Sequence, residues 1–225
     1  LKLILFDIDG TLVRTAGAGK KSMERSFRKI YGIENGFQDI QMMGRTDPSI
    51  LREALNNHGI DWKEKEAESF RDKYFEILRE EIEVERPGKR VCPGIRELLT
   101  EIEKRPDIAQ GILTGNWKTS AMVKLGFFHI DTFFPFGAFA DDSDIREELV
   151  PFAMKRFRQF YREEIEKEDM FIIGDTPADI HCARPHGAKS IAVSTGFHTH
   201  EQLAGENPHY LFQDLGDINE VMKIF

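Results

Sequence analysis

The chain is 225 residues long, 40% hydrophobic and 31% charged, which supplies a substantial core and excludes a wholly disordered segment. With 39 Asp and Glu against 31 Lys and Arg, its formal charge is −8. That balance removes the net basic footprint of a nucleic-acid binder, leaving at most a local basic patch, and any general attraction to an anionic membrane surface. Cys92 and Cys182 are the only cysteines, so there is neither a disulfide framework nor a zinc-type Cys/His cluster. The apolar run Leu1 to Phe6 is too short for a signal-peptide core, and nothing later approaches membrane-spanning length. These features predict a soluble, cytoplasmic protein with reduced thiols.

Taken in chain order, the apolar segments are of two kinds. Short dense runs at Leu1–Phe6, Ile108–Leu113, Met170–Ile173 and Ser190–Val193 predict buried strands. Helical spacing runs through Ala67, Phe70, Tyr74, Ile77/Leu78 and Ile82, and again through Leu149, Phe152/Ala153, Phe157 and Phe160/Tyr161. Shorter helices are expected at Ile95–Lys104, Thr119–Leu125, Ala178–Pro185 and Ile218–Phe225. Strands alternating with helices predict an α/β fold with a doubly wound parallel sheet. From about Arg14 to Pro87 there are helical patterns and no convincing strand, too much chain for one crossover helix. This stretch is expected to be an inserted helical subdomain, with Arg86-Pro87-Gly88 as the re-entry point.

Chemistry gathers where the predicted strands end, the edge at which open α/β sheets bind ligands. Asp7-Ile8-Asp9-Gly10-Thr11-Leu12 follows the first strand. Asp and Gly are ordinary turn residues, but two carboxylates just past a buried strand are costly unless something positive meets them. Thr114-Gly115-Asn116 ends a second strand with a hydroxyl, a flexible residue and an amide, and Gly174-Asp175-Thr176-Pro177-Ala178-Asp179 ends a third with two more acids. Between them, Asp144-Ile145-Arg146 leads into a helix and offers a cation.

In this order the motifs resemble the four signature motifs of the haloacid dehalogenase superfamily: Asp7–Thr11, Thr114, the segment near Arg146, and Gly174–Asp179. Gly44-Arg45-Thr46-Asp47 and Leu113-Thr114-Gly115-Asn116 are similar to the phosphoglycolate-phosphatase-like branch. The resemblance implies a Rossmann-like core over residues 1–13 and 88–225, with a small helical cap over 14–87. It implies a Mg²⁺-dependent phosphatase acting on a small phosphate ester such as phosphoglycolate. Asp7 would be the nucleophile and Asp9 the general acid and base. Asp7, Asp175 and the Asp9 backbone carbonyl would ligate Mg²⁺, with Asp179 behind them. Thr114 and Arg146, helped by Gly115 and Asn116, would hold the phosphoryl group, and Arg45 on the cap would read the substrate. The family's usual cation at the third motif is Lys, which makes Arg146 a departure; Lys118, Lys155 or Arg156 are the alternatives. An acid at Asp9 favours phosphoryl transfer over dehalogenation, because a halide leaves without a proton. A sugar-phosphate phosphomutase and a non-catalytic phosphometabolite-binding protein are the rival readings, and oligomeric state is open.

Weaker features have plainer readings. Ala16-Gly17-Ala18-Gly19-Lys20-Lys21-Ser22 misses the P-loop pattern and is expected to start the cap's first helix, with Lys20 able to face the site. Asp47 is expected to cap the helix that follows it. His198 and His200 lack partners for a metal, and Thr199 is expected to cap a helix. The aromatic stretch Phe127 to Phe139 is expected to be core, with a dimer patch as the alternative.

Overall fold

The computed structural model describes residues 1–225. In chain order its elements are β1 (Lys2–Phe6), β2 (Val13–Arg14), α1 (Ala18–Tyr31), α2 (Asp47–Asn57), α3 (Glu64–Glu81), β3 (Arg90–Val91), α4 (Ile95–Glu103), β4 (Ile108–Leu113), α5 (Lys118–Phe127), β5 (Gly137–Ala138), α6 (Leu149–Tyr161), β6 (Met170–Gly174), α7 (Pro177–Ala183), β7 (Lys189–Val193), α8 (His200–Gly205), β8 (Tyr210–Phe212) and α9 (Ile218–Met222). Six strands form one sheet in the order β5-β4-β1-β6-β7-β8, every neighbouring pair parallel.

Helices cover both faces of this sheet, which is why its central strands are apolar without interruption. Side chains alternate across it. Ile4, Phe6, Ile108, Ile112, Phe171 and Ile173 share one core with the apolar faces of α4 and α9. Leu3, Leu5, Ala109, Leu113, Met170 and Ile172 share the other with α6 and α7. No helix is long and apolar enough to cross a membrane. Of the aromatic stretch, Phe128 and Phe139 are buried in the first core, with Phe127, Phe133 and Phe134 packed against it.

Between β2 and β3 the chain builds a separate helical unit from α1, α2 and α3. Its core is its own: Phe27, Phe37, Leu51, Phe70, Tyr74 and Leu78 are buried together, with Trp117 and Ala140 contributed from the sheet side. The aromatics meet edge-on, Phe27 and Phe37 with centroids 5.2 Å apart. Where the chain leaves and returns, β2 and β3 pair antiparallel, Val13 opposite Val91 and Arg14 opposite Arg90. Helix α1 stops at Gly32, whose left-handed φ of 70° lets its N–H reach Arg28 O. Helix α2 is capped by Thr46, whose Oγ1 accepts from Ser49 N, and not by Asp47; Asp47 is the first helical residue and its side chain is committed elsewhere. Thr199 caps α8 as expected, exchanging bonds with Gln202.

Candidate active site

Strand β1 lies between β4 and β6, so the carboxyl ends of these three strands open at one place. Asp7 continues the β1–β6 ladder by donating its N–H to Ile173 O at 2.9 Å, and the next turn folds back tightly, Ile8 O accepting from both Leu12 N and Val13 N. Gly10 is required in that turn twice over. Its φ is +90°, and a Cβ there would lie 2.4 Å from Asp175 Oδ2. Gly196 closes on the same oxygen from the β7 side; its Cβ would fall 1.6 Å away. Asp175 is thus boxed between two glycine backbones, with one side-chain donor, Thr11 Oγ1, at 3.2 Å from Oδ1.

Asp7, Asp175 and Asp179 are all buried, and their carboxylate oxygens lie within 4.8 Å of one another. Arg146, which is 9% exposed, bridges two of them, with Nη2 at 3.0 Å from Asp7 Oδ1 and 2.5 Å from Asp179 Oδ1. The other oxygen of Asp179 accepts from Thr176 N and Thr176 Oγ1 at the start of α7. Both oxygens of Asp179 are therefore engaged, while Asp7 and Asp175 retain acceptor capacity. One guanidinium faces three carboxylates, and the imbalance shows in their acidity. Burial pushes the Asp7 carboxyl up to about 6, against the pull of Arg146. Asp175 is raised well above its usual range by burial, with Asp179 and Asp7 adding repulsion. These residues can hold a metal ion.

Arg146 occupies the position the sequence assigned to the third motif, and the alternatives lie elsewhere. Arg156 is bound to Asp142 and Gly137 O, Lys155 is exposed, and Lys118 lines a second hollow together with Arg156, apart from the cavity of the acids.

Thr114 and its neighbours form the opposite wall. Thr114 Oγ1 accepts from Asn116 Nδ2 at 2.8 Å, and that amide also donates to Asp9 Oδ2 at 2.9 Å. Gly115 is pressed against the helical unit: a Cβ would lie 2.2 Å from Arg45 O. Asp47 N donates to Gly115 O at 2.7 Å, and Asp47 Oδ2 accepts from Trp117 N at 2.9 Å and Ser120 Oγ at 3.2 Å. Burial holds the Asp47 carboxyl up to about 6 although Lys124 pulls it down. Thr46 Oγ1 adds a bond to Asp144 O, two residues before Arg146. Arg45 lines the cavity, with its guanidinium bonded to Glu53, Ser49 O and Gln41 O and its carbonyl pressed against Gly115. Lys20 is exposed and pairs loosely with Glu24 at 3.8 Å.

A cavity of about 450 Å³ lies between the strand ends and the helical unit, and Asp7, Asp9, Thr114, Arg146, Asp175 and Lys124 all line it. Lys124 is absent from the sequence reading. Its signal was a lysine in the buried stripe of α5, in register with Ser120, Ala121 and Leu125.

A family profile for haloacid dehalogenase-like hydrolases matches residues 4–193. A protein named phosphoglycolate phosphatase from Pseudomonas syringae pv. tomato is 25% identical, aligned over 95% of this chain and 77% of its own. Pyrophosphatase PpaX from Oceanobacillus iheyensis is 24% identical over 97% and 95%. Among solved structures, a hydrolase from Pseudomonas syringae superposes with a TM-score of 0.73 at 17% identity, covering 99% of this chain and 98% of that one. A haloacid dehalogenase-like family hydrolase from Streptococcus pneumoniae gives 0.67 at 19% identity, with coverages of 99% and 98%. The profile spans β1 through β7, every strand whose end contributes an acid to the cavity; the chain belongs to the haloacid dehalogenase-like hydrolases.

Proposed function

We propose that this hydrolase is a Mg²⁺-dependent phosphatase of the cytoplasm, cleaving a small phosphorylated metabolite of the phosphoglycolate type through an aspartyl-phosphate on Asp7. The observation that carries the reading is the charge imbalance at the strand ends: three buried carboxylates, one guanidinium, and a fourth aspartate, Asp9, opening onto the same cavity. A cluster of hard oxygens with excess negative charge fits a divalent ion. Asp7 and Asp175 would hold it with the Asp9 backbone carbonyl, and Asp179 would orient Arg146 from behind. When bound, Mg²⁺ supplies positive charge that polarises the phosphoryl oxygens.

The rest follows from the chain's own side chains. A carboxylate oxygen of Asp7 attacks phosphorus, the bond from phosphorus to the leaving oxygen breaks, and Asp9 delivers its proton to that oxygen. Asp9, now ionised, takes a proton from the water that cleaves the aspartyl-phosphate, which restores Asp7 and releases phosphate. Arg146 lines the cavity beside Asp7, where its guanidinium would donate to a phosphoryl oxygen. Thr114 and the Gly115–Asn116 backbone supply the facing donors. Residues 14–87 act as a cap over the 1–13 and 88–225 core, opening to admit substrate and closing to exclude water. The phosphoglycolate and pyrophosphate named for the relatives carry a second anionic group beside the scissile bond, a feature suited to the cations Arg14 and Lys20 on the wall of this cavity.

The test is phosphate release from a panel of small phosphate esters, with Mg²⁺ and with chelator, for the wild type beside Asp7→Asn. The expected result is Mg²⁺-dependent release that Asp7→Asn lowers by about four orders of magnitude or more. Release that survives the substitution removes the aspartyl-phosphate, and isomerisation without release would identify a mutase.

A further inference from the structure

Lys124 is a buried cation that the phosphatase chemistry above does not use. Its side chain is 4% exposed, and it stands two turns of helix beyond Asn116. Its ammonium donates to Asp9 Oδ2 at 2.5 Å and to Asn116 Oδ1 at 2.5 Å. Asn116 in turn donates to the same Asp9 oxygen at 2.9 Å. The three groups form a closed triangle, and Thr114 Oγ1 anchors its amide corner. Asp9 Oδ1 receives no bond from the protein, and the Asp9 side chain is 42% exposed on the cavity. The ammonium is also closely housed. A Cβ on Gly19 would approach it to 3.5 Å, and Gly19 begins the cap. Asp47, on the first turn of α2, faces it electrostatically from the cap side.

We propose that Lys124 is a positioning residue for the leaving-group step: with Asn116 it ties down one oxygen of Asp9 and presents the other to the leaving oxygen of the substrate. This rests on the phosphatase reading. A free aspartate side chain on a half-open wall samples several rotamers, and in-line proton delivery tolerates little misplacement. Two donors on one oxygen remove that freedom.

The test compares Lys124→Met with the wild type on two classes of phosphomonoester, simple alkyl esters and an activated aryl ester such as p-nitrophenyl phosphate. kcat/KM reports the steps up to departure of the leaving group, and an alkoxide needs the proton far more than a nitrophenolate does. The expected result is that the ratio of kcat/KM for alkyl over aryl esters falls about 30-fold or more, within the range of general acid catalysis. In an Asp9→Asn background, Lys124→Met is expected to leave that ratio where Asp9→Asn alone puts it. Asn116→Ala, which removes the second donor to the same oxygen, is expected to lower the ratio in the same direction and serves if Lys124→Met does not fold. An equal fall for both ester classes would mean that Lys124 only supports the fold, and the proposal fails while the phosphatase reading stands. A wild type that releases phosphate from neither class overturns both.

Discussion

Replacing Arg146 by Met tests whether this one cation holds the strand-end acids together. Its Nη2 lies 3.0 Å from Asp7 and 2.5 Å from Asp179, and it is the only cation that any of the three clustered carboxylates pairs with. At an effective dielectric near 20, each attraction amounts to about 5–7 kcal/mol gross, most of it offset by desolvation of the guanidinium. The loss that matters is the one left behind: Asp7, Asp175 and Asp179 would remain buried with no counter-charge. Breaking a buried pair in this way costs about 3–5 kcal/mol. For a chain of this length that corresponds to roughly 6–20 °C in melting temperature. The assay is thermal unfolding in chelator and then in Mg²⁺. The variant should melt well below the wild type in chelator and gain more than the wild type does from Mg²⁺, because the ion then replaces the missing charge. Wild-type Mg²⁺ stabilisation is about 2.7 kcal/mol at a hundredfold excess over the dissociation constant. Arg146→Lys should fall between, since it keeps the charge while the reach and donor geometry of an ammonium differ from those of the Nη2 that bridges both carboxylates. If Arg146→Met melts within 2 °C of the wild type in chelator, on the same scale, the guanidinium is not what stabilises the cluster.

Two further outcomes follow from the geometry. Burial raises the Asp47 carboxyl from 3.8 to about 6, so between these values the folded chain binds the proton more tightly than the unfolded chain, and stability falls as pH rises through that window. Asp47→Asn keeps an oxygen for Trp117 N and Ser120 Oγ but carries no charge. In urea melts it should match the wild type near pH 4 and exceed it above pH 7 by about 2–3 kcal/mol; lower stability at both would refute the assignment of strain to the charge. Gly196→Ala places a methyl 1.6 Å from Asp175 Oδ2 and must displace the loop or the acid. It should lower stability by about 1–3 kcal/mol and abolish Mg²⁺ protection in the same thermal assay; undiminished protection would argue that Asp175 is not a ligand.

Strands β1, β4, β6 and β7 were legible because burial on both faces writes an unbroken apolar run, and the residues placed at their ends lie where the sheet topology opens. Strands β2, β3, β5 and β8 are two or three residues long and exist only through their partners, so no periodicity announces them. Asp7, Asp175 and Arg146 could be picked out from residue type at a strand or helix boundary. The role of Asp47 could not: its bond to Trp117 spans two elements that nothing local connects, and the hydroxyl of Thr46 was the stronger cap. Arg45 lines the cavity as its loop position suggests, but the bond of its guanidinium to Glu53, two turns along, is written in no local pattern. Lys124 was hidden by the general rule that lysines lie in water, and only its phase on α5 contradicts that rule.

The acids that meet at the strand ends come from opposite ends of the chain, Asp7 from the first strand and Asp175 from the sixth. They are brought within 4.8 Å only when β1 and β6 have paired. Parallel pairing of such distant segments closes a very large loop and belongs to the slow part of folding. Mutual repulsion of the acids is therefore absent from the early collapsed chain and enters only as the last contacts form. Whatever neutralises them acts on the finished molecule, so a bound cation would lengthen the lifetime of the folded state far more than it would hasten its formation.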